Sequence, residues 1–381
     1  MKSFRLILRN NFPALFPALL FFLFLTSCGA VKTAPEPQAA PKQTSETPTP
    51  KKFVVRTIAF YNQENLFDTI DDPKTRDDDF TPRGSYGWTG ERYRHKIHNM
   101  AKVISGIGRD KTGAPPVVLG VAEVENRNVM EDLVNDPQLK PYHYGIIHFD
   151  SPDHRGIDVG LLYMKGVFQP IRMRVFPLKI YDDQGRRIYT RDVLLVSGNM
   201  DGEELHIIVN HWPSRRGGEA RSRPLRMAAA RLDMQIIDSL QRENKFAKII
   251  MMGDLNDDPD SPSVKEVLRA KGKKADVQPG GLYAAMEHFY RAGIGTLAYR
   301  DSWNLFDQIF VSYPLIEGTT GRQKDYSTFK LWKSGIYNKT FLTNRKGAFK
   351  GYPFRTYAGG QYLGGYSDHF PTYIILIKQI N

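Results

Sequence analysis

Beyond residue 52 the chain alternates short apolar runs with compact polar clusters, and the clusters fall where the runs stop. Val54 to Tyr61 reads as a first strand and stops at Asn62. Pro115-Pro116 leads into a buried run, Val117 to Ala122, that stops at Glu123. Asp158 to Met164 is a further strand. Val193 to Ser197 and Leu205 to Val209 read as a hairpin across Asn199-Met200-Asp201-Gly202, and the second arm stops at Asn210-His211. Lys248 to Met252, part of Ser302 to Ser312, and Thr372 to Lys378 supply the remaining strands.

Two stretches carry the other period. Within Thr89 to Ile107, the residues Tyr93, Ile97, Met100, Ala101, Ile104 and Ile107 form an apolar stripe at helical spacing. Thr89 suits the N-cap, and Gly106 and Gly108 end the helix. Ala220 to Leu240, rich in Ala, Arg, Leu and Met, is the second long helix. Several strands, two long helices and polar strand ends predict an α+β layered domain rather than a βαβ repeat. Glu317 to Gly365 is rich in Gly, Lys and aromatic residues and shows few clear strands. Its rings argue against disorder, and long ordered loops are usually functional.

The first 52 residues do not fit this pattern. Lys2, Arg5 and Arg9 precede an apolar stretch, Phe12 to Leu25, that Pro13 and Pro17 interrupt. This is a secretory signal, too short and broken for a membrane span. Leu25-Thr26-Ser27-Cys28-Gly29 resembles a bacterial lipoprotein signal, with residues 1–27 removed and Cys28 lipidated. Cys28 is the only cysteine, so the chain has no intramolecular disulfide. Residues 28–52 then read as a flexible tether, and the folded domain spans 53–381. Net charge is +12, and loss of three basic residues in 1–27 leaves 12 − 3 = +9. Such a charge favours polyanionic partners or surfaces and leaves the fold undetermined.

The polar clusters carry the chemistry. Asp254 and Asn256 stand two apart after a strand, where an extended backbone points both side chains the same way. Either they form a carboxylate–amide pair able to orient water and hold phosphate, or they form an acidic turn. Asn62 and Glu64 repeat the arrangement. Glu123 ends an apolar strand, where an acid needs solvent, a partner or a cation. A hard oxygen on an open rim suits magnesium. His211 opens Trp212-Pro213-Ser214-Arg215-Arg216-Gly217-Gly218, a basic loop before a helix. Arg155 precedes another strand. Asp307 lies among apolar neighbours and requires a partner. His369, next to Asp368, is the natural one for a carboxylate that fixes a histidine tautomer. Serine-nucleophile, Walker-type and zinc-type spacings are missing.

In this order, Asn62-x-Glu64, Ala122-Glu123-Val124-Glu125-Asn126, Arg155-Gly156-Ile157-Asp158, Val209-Asn210-His211-Trp212, Gly253-Asp254-Leu255-Asn256-Asp257, Leu305-Phe306-Asp307-Gln308 and Gly365-Tyr366-Ser367-Asp368-His369 resemble the endonuclease/exonuclease/phosphatase superfamily, which includes deoxyribonuclease I. The resemblance covers residues 53–381. It implies a four-layer α/β sandwich, with two packed, mostly antiparallel sheets flanked by helices. It also implies metal-dependent phosphoester hydrolysis by direct attack of water. On that resemblance Glu123, Glu64 and Asp368 belong to the metal, with magnesium expected and manganese or calcium open. Asn62, Asn256, Arg155 and Arg215 serve the phosphate. His369, Asp307, Asp254 and His211 are catalytic, with His369 either general base or cationic clamp.

The charge and the basic loop favour an extracytoplasmic nuclease cutting DNA or RNA. Arg215, Arg216, Arg221 and Arg223 are candidates to track a backbone, and Trp212, Tyr362 and Tyr366 to stack on bases. A phosphatase or sphingomyelinase-type phosphodiesterase is the alternative within the fold. A non-catalytic envelope-binding lipoprotein is the alternative outside it. The expected chain is a monomer in the cell envelope, held to a membrane by lipid on Cys28, with no protein partner evident.

Overall fold

A computed structural model describes residues 51–320 and 324–380. The expected signal segment, Cys28 and the tether up to residue 50 lie outside the described residues. Twelve strands build the two main sheets. In chain order the first six are β1 (Lys52–Leu66), β2 (Val118–Val124), β3 (Tyr144–His148), β4 (Asp158–Met164), β5 (Phe168–Phe176) and β6 (Val193–Met200). The others are β7 (Glu203–His211), β8 (Ile249–Asp254), β9 (Leu282–Ala284), β10 (Asp307–Ser312), β11 (Lys330–Ile336) and β12 (Thr372–Ile380). One sheet runs β11-β12-β1-β2-β4-β3 and the other β9-β10-β8-β7-β6-β5. Each sheet holds one parallel pair, β1/β2 and β7/β8, among antiparallel neighbours.

Strict alternation sorts the second sheet's side chains between two cores. Leu194, Val196, Ile207, Val209, Ile250 and Met252 join the core shared with the first sheet. Val193, Leu195, Ile208, Ile249 and Met251 join a separate core that includes Ala229, Ile236, Ile237 and Leu240 of helix α3 (Glu219–Glu243). A sheet covered on both faces reads as an unbroken apolar run, because both side-chain sets are buried. On the first sheet's outer face lie α1 (Gly90–Gly106) and α2 (Arg127–Asn135). Thr89 caps α1 through the backbone N–H of Arg92 at 3.4 Å, and the predicted stripe buries Ile97, Met100 and Ile104. Each such side chain contributes about 1.5–3 kcal/mol on burial. Helices, sheet, sheet and helix make the expected four layers.

The predicted hairpin forms as β6 and β7, with Met200 opposite Glu203. Its turn is Asp201-Gly202, both at positive φ (47° and 86°), the backbone a two-residue hairpin requires. Elsewhere the structure adds to the expectations. The strand expected within Ser302 to Ser312 is Asp307–Ser312, in the main sheet, while Ser302–Asn304 pairs with Leu297–Tyr299 in a small hairpin that pattern reading missed. The segment Glu317 to Gly365 contributes β11 to the first sheet. A register shift between Leu331 and Lys333 breaks its alternation and hides it from pattern reading. Among the described residues no helix is long and apolar enough to cross a membrane.

Candidate active site

Strand direction gathers the polar clusters at one rim. β7 and β8 end there with His211 and Asp254, β1 and β2 bring Asn62 and Glu123 to it just before their ends, and the antiparallel β10 starts there with Asp307 while β12 follows His369. Register places Asp254 opposite His211 on one side and Asp307 on the other. Four non-glycine residues of this rim hold left-handed backbone: Glu64 (φ 50°), Asn65 (52°), Glu123 (59°) and Asn256 (50°). Each conformation costs about 1–3 kcal/mol, and such strain concentrates where a side chain must be re-aimed. Glu123 is the bulge between Ala122 and Val124, so its carboxylate leaves the alternation of its strand. Asn256 lies beyond the last residue of β8, so the two-residue alternation expected to align it with Asp254 does not operate. Its Nδ2 instead donates to the Trp212 carbonyl at 3.0 Å.

Both oxygens of Asp254 are fixed. Oδ2 accepts from Asn62 Nδ2 and Oδ1 from the Asn256 N–H, each at 3.0 Å. The Nε2 atoms of His211 and His369 each lie 3.8 Å from Oδ2, too far for a direct bond and close enough for one oxygen to bridge. His369 Nδ1 pairs with Asp307 Oδ2 at 2.6 Å. Asn62 Oδ1 accepts from the Glu64 N–H at 2.9 Å, so Asn62 ties β1 to Asp254.

The two histidines carry opposite charge states. Burial opposes protonation of His369, but Asp307, Asp254 and Asp368 together hold its pKa well above the ordinary value. Burial, then Arg191, Arg155 and His369, push His211 well below it, so His211 is neutral at pH 7. Burial raises Asp254 to about 7, against the pull of His369. A carboxyl near neutrality beside an imidazolium and a neutral imidazole is suited to moving one proton.

Among the described residues, two groups bring ligand atoms close enough for a cation: Asp254, Asp307 and His369, and His148, Asp150 and Asp158. In the first, the Asp307–His369 bond occupies Asp307 Oδ2 and His369 Nδ1, and an imidazolium repels a cation. Glu123 offers a better donor. Its Oε2 accepts from the Asn65 N–H at 3.0 Å, while Oε1 has only His211 Nε2 at 3.8 Å and the side chain is 16% exposed. An open carboxylate oxygen at a solvent-facing rim fits a hard, partly hydrated divalent ion.

Glu64 and Asp368, the other metal ligands the resemblance implied, are paired with cationic side chains. Glu64 accepts from Arg355 Nε at 2.8 Å and from the Thr356 N–H at 2.7 Å, with Lys96 Nζ at 3.7 Å. Asp368 accepts from Arg355 Nη2 at 2.9 Å. Arg355 and Lys96 therefore balance the second tier of acids, and sequence reading missed both. The signal was indirect: a buried acid demands a cation, and the nearest by sequence was not the nearest in space. Arg215 turns inward to the Asn256 carbonyl (2.9 Å) and Asp258 (3.0 Å), bracing the loop rather than extending from it. Arg155 pairs with Asp153 at 3.2 Å, and the same Asp153 binds the buried Arg191 at 2.8 Å. Trp212 and Tyr366 are buried and offer no face to a base. Arg221 and Arg223 are paired with Asp183 and Glu219.

Behind His211, Trp212 Nε1 donates to Asp233 Oδ2 at 3.0 Å, and burial pushes Asp233 up to about 8. A carboxyl raised on folding stabilises below its unfolded pKa, and that stability is lost as pH rises from about 4 to about 8. Asp233→Asn is therefore expected to melt higher than the parent, by roughly 2 °C or more at pH 9, with the gap widening upward from pH 5. Thermal melts across that range test it; a constant gap would show that ionisation of Asp233 is not the cause.

Two packed mixed sheets that converge acids, amides and an Asp–His pair on one rim define a hydrolase-type α/β sandwich. The chain belongs to the Endonuclease/Exonuclease/phosphatase family, whose model matches residues 57–378. No curated protein matches it. Among solved structures, a family member from Bacteroides thetaiotaomicron is 18% identical, covering 86% of this chain and 100% of its own at a TM-score of 0.50, a likeness of fold. Also similar are a Bacteroides thetaiotaomicron mannosyl-6-phosphatase (17%, 84% and 99%, TM-score 0.48) and truncated Caenorhabditis elegans TDP2 (16%, 84% and 97%, TM-score 0.48).

Proposed function

We propose that this chain is a magnesium-dependent extracytoplasmic nuclease that hydrolyses phosphodiester bonds of DNA or RNA by direct attack of water. The observation that carries the reading is Asp254 Oδ2, buried at 3.8 Å from both a neutral and a charged histidine, beside the open oxygen of Glu123. Glu123 would hold the cation, with manganese or calcium as substitutes. A bound divalent ion supplies neutralising charge to the phosphoryl oxygens. Asp254, fixed by Asn62 and Asn256, takes the proton of the attacking water. His369, kept charged by Asp307, presents Nε2–H to a phosphoryl oxygen. His211, neutral, orients whichever oxygen bridges the gap to Asp254 without adding charge. The net charge of +12, or +9 without residues 1–27, supports a polyanionic substrate. Lipid on Cys28 would hold the domain at the cell envelope.

The full chain in detergent, with magnesium or with chelator, should be offered plasmid, RNA, inositol phosphates and sphingomyelin. Nucleic acid is expected to be cut with magnesium and to survive with chelator. Turnover of another substrate while both nucleic acids stay intact refutes the nuclease reading. The anchor is tested in the same cells: the Cys28→Ser chain should leave the membrane fraction, and its retention there would count against lipidation.

A further inference from the structure

Of the rings expected to stack on a substrate, Trp212 and Tyr366 are buried and half-buried Tyr362 carries Arg92 over its ring, but a different set lines a cavity of about 190 Å³ beside the rim. Phe80, Tyr86, Trp88 and Tyr357 form its apolar walls, and Glu64 and Arg355 its polar side. Asn65 also lines it, and the Asn65 N–H is the one bonded to Glu123, so the cavity opens next to the proposed cation ligand. Phe80 and Tyr86 have centroids 4.9 Å apart, and Tyr86 and Tyr357 4.7 Å. The walls are braced from behind. Phe67 stacks on Phe80 at 4.4 Å, Trp88 Nε1 donates to the Phe67 carbonyl at 3.0 Å, and Tyr357 Oη donates to the Tyr86 carbonyl at 2.9 Å. Phe80, Tyr86 and Tyr357 remain half-buried where they line the cavity. The turn Gly359-Gly360, both at positive φ (57° and 77°), also lines the cavity and adds no side chain to it.

We propose that this cavity is the subsite for a flat heteroaromatic ring carried by the phosphoester, a nucleobase adjacent to the scissile phosphate. The proposal rests on the nuclease reading. A hydrocarbon tail would strip water from the Glu64 and Arg355 heads without replacing its hydrogen bonds. A base offers a π-face to the aromatic walls and hydrogen-bonding edges to the polar side, which satisfies both. Rigid, pre-braced rings beside a phosphate site lose little conformational freedom on binding.

The full chain in detergent with magnesium should be compared on two single-stranded oligomers, one with bases and one in which abasic residues replace the nucleosides. The base-bearing strand is expected to have a KM lower by about tenfold, the scale of one stacked base. In Tyr86→Ala/Tyr357→Ala that preference should collapse toward one, and Tyr86→Phe should restore it. A preference that survives in the double variant, with both KM values shifted together, assigns the rings a structural role and overturns the subsite. Should the parent cut neither oligomer and leave plasmid and RNA intact as well, the nuclease reading has failed and the cavity is judged separately. Adenosine monophosphate is then titrated against a hexose phosphate, followed by tryptophan fluorescence in the parent and in Trp88→Phe. Saturable quenching by the nucleotide that Trp88→Phe abolishes supports the ring subsite. No saturation, or saturation only by the hexose phosphate, overturns it.

Discussion

His369→Ala is expected to lower turnover at least a hundredfold, and Asp307→Asn to move the alkaline limb of the pH profile downward. His369 is charged at neutral pH because Asp307, Asp254 and Asp368 outweigh its burial. Asp307 is fully buried and bonded to Nδ1 at 2.6 Å. Alanine removes the cation that faces Asp307, Asp254 and Asp368 at the place where phosphate charge develops. Positioned groups of this kind supply about 10²–10⁴ in rate. It also leaves a buried carboxylate without its partner, so a melt must accompany the assay. Asp307→Asn keeps the shape and removes the charge. The pKa of His369 should then fall toward the ordinary value near 6.5, so that activity at pH 8 drops more than activity at pH 6. Measuring kcat/KM against pH in both variants separates the roles. An alkaline limb that stays in place in Asp307→Asn would mean that His369 does not act as a cation.

Much of this arrangement was legible in the sequence because burial and polarity conflict there. An acid that ends an apolar run, as Glu123 and Asp254 do, must face a rim. An acid inside one, as Asp307 is, must find a partner. Where parallel and antiparallel strands meet, those ends fall on one side, so the polar clusters converge. The resemblance to a known family supplied their order. What stayed hidden depended on local backbone or on distant pairing. Left-handed φ at Glu64, Glu123 and Asn256 is invisible to a two-residue period. Arg355 lies 291 residues from the Glu64 it neutralises, and Lys96 reaches the same acid from the buried face of α1. Trp212 has the composition of a stacking ring and the position of a core residue, while Tyr86 and Tyr357 gave no sequence sign of forming a wall.

Asp254→Asn is expected to reduce turnover by a hundredfold or more while the domain stays folded, its stability relative to the parent rising with pH through about 7. The two effects have one origin. Burial raises Asp254 to about 7, with His369 pulling against it and Asp307 and Glu123 adding to it. A carboxyl near 7 exchanges a proton with water at the working pH, and an amide cannot. The acid limb of the parent's pH profile, near 7, should therefore vanish with the residual activity of the variant. Stability moves the other way. The folded pKa exceeds the unfolded value near 4, so the carboxyl stabilises fully below about pH 4 and loses that contribution as pH rises through about 7. Asn carries no buried charge, but its single oxygen accepts from only one of the two donors, the Asn62 amide and the Asn256 N–H, that Asp254 meets on separate oxygens. Paired melts and rate profiles from pH 5 to pH 9 decide the matter. A variant that loses activity only in proportion to lost stability would show Asp254 to be structural. One that stays folded and inactive would locate the proton transfer at this carboxyl, and the strain at its neighbours would then be the cost of holding it there.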